Sequence, residues 1–276
     1  MTISVLMSTY KNEKPQYLDA SLNSIWMEQI RKPEQVVIVE DGPLPNALYA
    51  VIDKWQKLIG DALVVIGINQ NQGLALALNE GIKYCTGDLI ARMDSDDLAV
   101  PDRLKIQEEY MCAHPDVDIL GGALQEFNDE GTLNKVRLYP LSYKTIRSTI
   151  HKGTPLGHPT VMFRKRFFDV GYRYSNKYYI CEDIKLWFEA LKGGVIINNI
   201  PDVVLLFRRN DSTMCRRSRK KAWSEFYAYM NGIHLLDGIM TYKYIYPCLR
   251  LFFRLLPTNA IKWLYNSNLR KYIYKS

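Results

Sequence analysis

Along the N-terminal third of the chain, apolar residues fall into short dense runs that alternate with stretches of helical period. Ile3-Ser4-Val5-Leu6-Met7 reads as a buried first strand, ending at Ser8-Thr9-Tyr10. Pro15 then opens a helix in which Leu18, Leu22 and Ile25 recur at i, i+4 and i+7, one face of a helix. Val36-Val37-Ile38-Val39 is too short and too β-branched for a helix and reads as a second strand, ending in Glu40-Asp41-Gly42-Pro43. Leu48, Val51, Ile52, Trp55 and Ile59 mark the next helix, and Leu63-Val64-Val65-Ile66 the third strand. A polar loop, Asn69 to Gly73, leads into a helix carrying Leu74, Ala77, Leu78 and Ile82. The fourth strand, Leu89 to Met93, stops abruptly in Asp94-Ser95-Asp96-Asp97.

Near-continuous apolar strands alternating with helices predict an α/β fold, a mostly parallel central sheet with helices on both faces. In such sheets ligands bind outside the carboxyl ends of the strands. One rim therefore collects Thr9 and Tyr10, Glu40 and Asp41, Asn71, and Asp94-Ser95-Asp96. No G-x-G-x-x-G follows the first strand and no P-loop signature occurs, which speaks against a dinucleotide dehydrogenase and a P-loop NTPase.

Beyond the acidic stretch the pattern loosens. Pro101 is expected to open a helix reaching about Ala113, Ile119-Leu120-Gly121-Gly122 reads as a strand, and Leu124 to Pro140 as a hairpin turning at Asp129-Glu130-Gly131. Gly157-His158-Pro159 precedes a strand, Thr160 to Phe163. Ile184, Trp187, Phe188 and Leu191 share a helical face with Gly193 as C-cap, so Glu182 and Asp183 fall in that helix's first turn. Val203 to Phe207 is a last strand, followed by Arg208-Arg209-Asn210-Asp211-Ser212 and the basic run Arg216 to Lys221.

Composition refines this picture. A length of 276 residues suits one large α/β domain with an appendage. Five cysteines (Cys85, Cys112, Cys181, Cys215, Cys248) are odd in number and scattered, which suggests neither a disulfide framework nor a zinc site and fits a reducing cytosol. No signal peptide is evident, and no apolar run approaches the ~20 residues of a membrane span. The net charge of +7 belongs to residues 242–276, which hold Lys243, Arg250, Arg254, Lys262, Arg270, Lys271 and Lys275 and no acidic residue. There Ile245, Leu249, Phe252, Phe253 and Leu256 form one helical face and the basic residues another. Pro257 ends the helix, and Trp263 and Tyr265 follow in a second aromatic, basic segment. Aromatic and basic side chains without acids describe an interfacial helix on an anionic membrane. A helix packed on the domain with a charged outer face is the other reading. Aromatics are too few around the 216–221 run to suggest nucleic acid.

Two acidic motifs are candidates for chemistry. Asp94 and Asp96, two residues apart, can place oxygens on one Mg²⁺ or Mn²⁺, which takes few carboxylates and completes its shell with water and phosphate. A solvated turn ahead of a helix would look the same. Glu182 and Asp183 complement a helix dipole by ~0.3–1 kcal/mol whatever else they do. A carboxylate there is also able to take a proton from an attacking hydroxyl.

Val5-Leu6-Met7-Ser8-Thr9-Tyr10, Val39-Glu40-Asp41-Gly42, Asn71-Gln72-Gly73 with Ala77 and Asn79, and Asp94-Ser95-Asp96-Asp97 together resemble the inverting family 2 glycosyltransferases of GT-A fold. The resemblance covers about residues 1–210. It implies a transferase domain with a nucleotide-binding half, 1–100, and an acceptor-binding half, 101–210, followed by a tail, 211–276. It implies that Thr9 and Tyr10 line the nucleotide pocket, that Glu40 or Asp41 binds uracil, and that Asp94 and Asp96 hold the metal on the diphosphate of a UDP-sugar. Asn71, Ser95 and Arg208 join the donor site, Arg208 facing the leaving UDP. His158 falls near the acceptor. Asp183 becomes the catalytic base, with Glu182 as the second candidate. Leu78 departs from the pattern, since family members often carry Arg before Asn79, and Arg92 is the residue that could supply a comparable charge.

The resemblance further implies a single addition, because Q-x-x-R-W of processive synthases is absent. The acceptor would be a lipid-diphosphate-linked saccharide of bacterial surface-polysaccharide assembly, with galactose the sugar favoured by likeness. The enzyme would then work in the cytoplasm, peripheral on the inner face of the cell membrane. Two other classes compete. A haloacid-dehalogenase-like phosphotransferase also uses D-x-D with Mg²⁺, but after its first strand. A non-catalytic nucleotide-sugar binder would keep Asp41 and Asp94 and have no need of Asp183.

Overall fold

Strand β1 (Ile3–Thr9) lies at the middle of the donor half, between β2 (Gln35–Glu40) and β4 (Leu89–Asp94), with β3 (Leu63–Gly67) beyond β2. The computed structural model describes residues 1–178, 181–209 and 219–255. All three pairings are parallel. Parallel neighbours need crossovers, and the predicted helices supply them: α1 (Pro15–Trp26), α2 (Asn46–Ile59) and α3 (Leu74–Ile82). Alternate residues of each strand enter different cores. Val5, Met7, Val36 and Ile38 pack with Leu18, Leu22 and Trp55 on one face, while Leu6, Val37 and Val39 pack with Ala77, Leu78 and Ile82 on the other. Burying each such aliphatic side chain contributes roughly 1.5–3 kcal/mol, which is why these strands read as unbroken apolar runs.

The chain runs outward from β1 through β2 to β3 and then returns to β4 on the opposite side of β1. The carboxyl ends of β1 and β4 therefore flank a topological switch point, where ligand crevices open. Register puts Thr9 beside Glu40 and Ser8 beside Asp94 at that rim.

The second half closes the sheet. β5 (Leu98–Ala99) and α4 (Arg103–Ala113) follow the acidic stretch; the helix starts two residues after Pro101, past a turn. β6 (Val117–Asn128) and β7 (Gly131–Arg137) form the expected hairpin, with Asn128 Oδ1 accepting from Glu130 N in the turn. α5 (Tyr143–Thr149) precedes β8 (Met162–Arg164), α6 (Lys165–Asp169), α7 (Glu182–Lys192) and β9 (Ile196–Arg208). β8 runs antiparallel between β4 and β6, and β9 pairs parallel with β6 and antiparallel with β5.

Two expectations change here. The strand at Ile119–Gly122 and the first arm of the hairpin are one strand, and the strand at Val203–Phe207 is the end of a longer one starting at Ile196. Pro201 and Asp202 sit in an irregularity where pairing skips from Ile200 to Val203, and that spares the proline a ladder bond.

Two helices end the described chain, α8 (Arg219–Asp237) and α9 (Ile245–Leu255). α8 packs along α7, with Phe188 edge-on to Tyr229 at 5.8 Å, and α9 packs on α8. No helix among the described residues is long and apolar enough to cross a membrane. Asn210 to Ser212, Arg216 to Ser218, Leu256, Pro257, Trp263 and Tyr265 lie outside the described residues.

Candidate active site

At the end of β2, Asp41 works as the knot of a loop. Its carboxylate accepts hydrogen bonds from Asn71 Nδ2 (2.8 Å), Gln72 N (2.7 Å) and Gly73 N (2.9 Å), and its carbonyl takes a second bond from Asn71. Asp41 N in turn donates to Thr9 O. Gly42 has φ 87°, and a Cβ there would meet Asn71 N at 2.7 Å, so only glycine lets the two loops touch. Asp41 and Asn71, both predicted donor-site residues, thus shape the rim by holding each other. Beside them Glu40 is half-buried, and burial raises its carboxyl above the ordinary range. Thr9 is fully buried, and its hydroxyl has no hydrogen-bond partner among the described residues, while Tyr10 is exposed at the lip. A buried unpaired hydroxyl at a crevice is unfavourable on its own and becomes favourable when a ligand satisfies it.

The acidic stretch is held from four sides. Ser21 Oγ donates to Asp94 O, and Ser95 Oγ to Glu13 Oε2. Arg92 and Asp94 share one face of β4, and both terminal nitrogens of Arg92 donate to the Asp94 carboxylate. Arg208 Nε donates to Asp96 O at 2.8 Å, and Arg208 N to Asp97 Oδ1 at 2.8 Å. Arg208, expected to face the leaving UDP, has a buried guanidinium that acts as a pillar of the acidic stretch. It lies 3.9 Å from the Tyr17 ring centroid and 4.4 Å from that of Phe127, and donates to Asp129. Tyr17 OH closes the circuit on the same Asp129 carboxylate.

Carboxylate oxygens of Asp94, Asp96 and Asp97 lie within 4.8 Å of one another. Asp97 was not among the predicted ligands. It is fully buried, its Oδ2 has no partner among the described residues, and burial followed by the charges of Asp96 and Asp94 pushes its carboxyl well above the usual range. A packed acidic cluster with an orphaned oxygen suits a hard divalent cation. Both Asp94 oxygens accept from Arg92, which leaves Asp97 Oδ2 as the oxygen of the cluster that has no partner among the described residues.

Glu182 and Asp183 open α7 as predicted, with Cys181 as N-cap. Burial, then the Asp183 charge, raises Glu182 to about 7, and burial raises Asp183 as well. Arg92 connects the two acidic motifs. Burial opposes its charge, but Asp94 at contact, and Tyr174 and Glu182 further off, keep it cationic. His158 lies in the same buried polar group, with Nε2 2.9 Å from Tyr174 OH. Burial, then Arg92, pushes the imidazole well below its ordinary value and keeps it neutral. Asn79 fixes Tyr174 by two backbone bonds, accepting from its N (2.9 Å) and donating to its O (2.8 Å). Tyr174 carried no sequence signal of its own; its tie to Asn79 spans 95 positions. A carboxylate cluster with the donor set for a divalent cation, close to a helix that begins in two raised carboxyls, has the chemistry to hold a diphosphate on one side and deprotonate a hydroxyl on the other.

The model of family 2 glycosyl transferases matches residues 4–171. The chain belongs to that family. It is 34% identical over 96% of its length to the amylovoran biosynthesis glycosyltransferase AmsE of Erwinia amylovora, of which it covers 98%. It is 32% identical to the Escherichia coli UDP-Gal:alpha-D-GlcNAc-diphosphoundecaprenol beta-1,3-galactosyltransferase, over 98% of this chain and 97% of that one. Among solved structures, the mannosyltransferase PcManGT of Pyrobaculum calidifontis, in complex with GDP-Man and Mn²⁺, superimposes with a TM-score of 0.65 at 16% identity, covering 99% of this chain and 81% of that one. The fold is therefore GT-A, and this family 2 member is a glycosyltransferase. A haloacid-dehalogenase-like phosphotransferase is excluded.

Proposed function

We propose that this glycosyltransferase moves one galactose from UDP-galactose, with inversion, to a lipid-diphosphate-linked saccharide during bacterial O-antigen or exopolysaccharide assembly. The observation that carries the chemistry is the pairing of the Asp94-Asp96-Asp97 cluster with the raised carboxyls of Glu182 and Asp183 around one buried arginine. The named relatives in amylovoran and diphosphoundecaprenol-linked synthesis support the substrate class. Residues 1–100 bind the donor, 101–210 the acceptor, and 211–276 form an appendage that keeps the enzyme on the inner face of the cell membrane.

In this reading uracil rests against Thr9, Tyr10 and the Glu40–Asp41 pair, and the Thr9 hydroxyl gains the partner it lacks. Asp96 and Asp97, with Asp94 held by Arg92, would hold Mn²⁺ or Mg²⁺. Such a cation, when bound, offsets charge on the diphosphate. Asp183 takes the proton of the acceptor hydroxyl as its oxygen attacks C1 and the bond from C1 to UDP breaks. A carboxylate whose pKa is raised, as burial raises that of Asp183, is a stronger base than an ordinary aspartate. Asp183 in turn raises the Glu182 carboxyl beside it, and neutral His158 with Tyr174 frames the acceptor.

The test is incubation with UDP-galactose, Mn²⁺ and a GlcNAc-diphospho-lipid acceptor, following UDP release and the anomeric configuration of the product by NMR. Release of UDP with a β-linked galactoside supports the reading. Hydrolysis of UDP-galactose without transfer, or transfer with retention, overturns it.

A further inference from the structure

Both arginines of the final helix pair with the helix before it, although Arg254 stays 41% exposed. Arg250 donates to Glu225 Oε1 at 3.1 Å and Arg254 to Glu225 Oε2 at 2.5 Å, while Lys243 Nζ donates to Asp237 Oδ1 at 2.8 Å. The Arg250 guanidinium also lies 4.4 Å from the Tyr229 ring centroid. These pairs fix α9 to α8 by its basic face. Turned outward are Ile245, Leu249, Phe252 and Phe253, joined by Ile239 and Met240 from the turn before it. Met240 is 98% exposed, Ile239 77% and Phe252 59%. A helix that ties its arginines to a neighbouring acid and leaves its apolar face exposed departs from the usual surface arrangement, and an apolar patch of this kind marks an interaction surface.

Its position narrows the partner. α7, which begins in Glu182 and Asp183, packs against α8, and α8 against α9. The apolar face is therefore separated from the catalytic carboxylates by a single helix, at the acceptor end. Charge narrows it further. After Leu255 the sequence continues with Lys262, Arg270, Lys271 and Lys275 and no acidic residue. A second copy of the chain would set two such basic segments together, whereas an anionic surface complements them. On α8, Trp223 and Tyr227 stack at 5.9 Å and are exposed beside Arg219 and Lys220, and amphipathic rings of this type settle at membrane–water interfaces.

We infer that the outward face of α9, with the Ile239–Met240 turn, docks on an anionic lipid bilayer by inserting its apolar side chains at the headgroup boundary. Attachment is thus apolar first, with the basic charge beyond Leu255 adding to it. The inference builds on the reading that the acceptor is lipid-linked.

The test uses the full chain and vesicles of phosphatidylcholine with phosphatidylglycerol, measured by co-sedimentation. The double substitution Leu249→Glu with Phe252→Glu lies on the exposed face, away from the donor and acceptor machinery. It is expected to lower vesicle partition about tenfold or more, with thermal unfolding and turnover of detergent-dispersed acceptor unchanged and turnover of vesicle-embedded acceptor lost. A double variant that folds and still binds vesicles overturns the assigned face. Wild-type protein that ignores vesicles but glycosylates the detergent-dispersed lipid acceptor overturns docking and leaves the lipid-linked reading intact. Vesicle binding with no turnover of any lipid-linked acceptor overturns that reading and leaves docking intact. A wild-type dimer that ignores vesicles and dissociates in the variant, seen by ultracentrifugation, gives the face to a second copy and overturns the bilayer.

Discussion

Arg92 holds Asp94 two residues further along the same strand, with one terminal nitrogen 2.5 Å and the other 3.0 Å from its carboxylate oxygens. Arg92 is 2% exposed, so the pair has one foot in the core and one at the donor crevice. Replacing Arg92 by Met removes the partner and leaves a carboxylate facing two others. Breaking such a pair costs roughly 3 kcal/mol, here lessened because Asp94 is partly exposed. Urea denaturation should show the loss, and calorimetry should show weaker UDP binding. Arg92→Lys, which cannot fork, should be intermediate in both.

Asp183→Asn should retain the fold and UDP affinity and lose about 10²–10⁴-fold in turnover, the usual cost of a missing general base. Glu182→Gln should cost less. Steady-state rates of UDP release by both variants decide the assignment, and inactivity of Glu182→Gln alone would move the base one residue upstream.

The same two carboxyls predict opposite responses of rate and stability to pH. Glu182 is raised from 4.5 to about 7 in the fold, chiefly by burial. Between those values the native state holds a proton that the unfolded chain has released, so stability is greatest below the lower value and declines as pH rises through the upper one. Activity needs the pair deprotonated and should climb over the upper part of that window. Glu182→Gln should flatten the decline in melting temperature and move the lower limb of the pH–rate profile to lower pH. A wild-type melting temperature that rises from pH 5 to pH 7 while the variant's does not would count against the assignment.

Arg208→Lys keeps the charge but gives up the Nε bond to Asp96 and the stacking between Tyr17 and Phe127. Mn²⁺-dependent UDP affinity should fall about tenfold, roughly the equivalent of one charge-assisted hydrogen bond. Tyr17→Phe, which loses only the bond to Asp129, should fall less. Isothermal titration of UDP with and without Mn²⁺ separates a loosened cluster from a general loss of nucleotide binding.

Asp96→Asn should abolish the difference in UDP affinity between Mn²⁺ and EDTA, with the melting temperature little changed because Asp96 is partly exposed at the crevice. Equal metal dependence in the variant would transfer the ligand role to Asp97.

The donor half was legible because its information is local. Each strand is a nearly continuous apolar run, and the rim residues lie just where these runs give way to polar ones, so Thr9, Glu40 and Asp94 could be placed on one rim before any register was seen. The second half hid its order in long-range pairing. Gly121-Gly122 and Pro201 occur within strands because β6 and β9 absorb an irregularity together. Side-chain direction was also illegible. Arg92 reads as a substitute for the charge missing at Leu78 and Arg208 as a contact to the leaving UDP, and the fold turns both inward, onto Asp94 and onto the Tyr17–Phe127 pair. Asp97 escaped notice because burial, not sequence, gives its carboxyl an unpaired oxygen.

The tie from Arg208 to the backbone of Asp96 and the carboxylate of Asp97 joins positions more than a hundred residues apart. Domains begin to fold during synthesis, N-terminal parts first. A nascent chain can form β1 to β4 early and so display the acidic stretch long before β9 has emerged from the ribosome. Until Arg208 arrives, that stretch has neither its pillar nor its final backbone path. The last strand to be translated thus acts as a timing device, and fragments released before it should be poor at engaging nucleotide sugars in the cell.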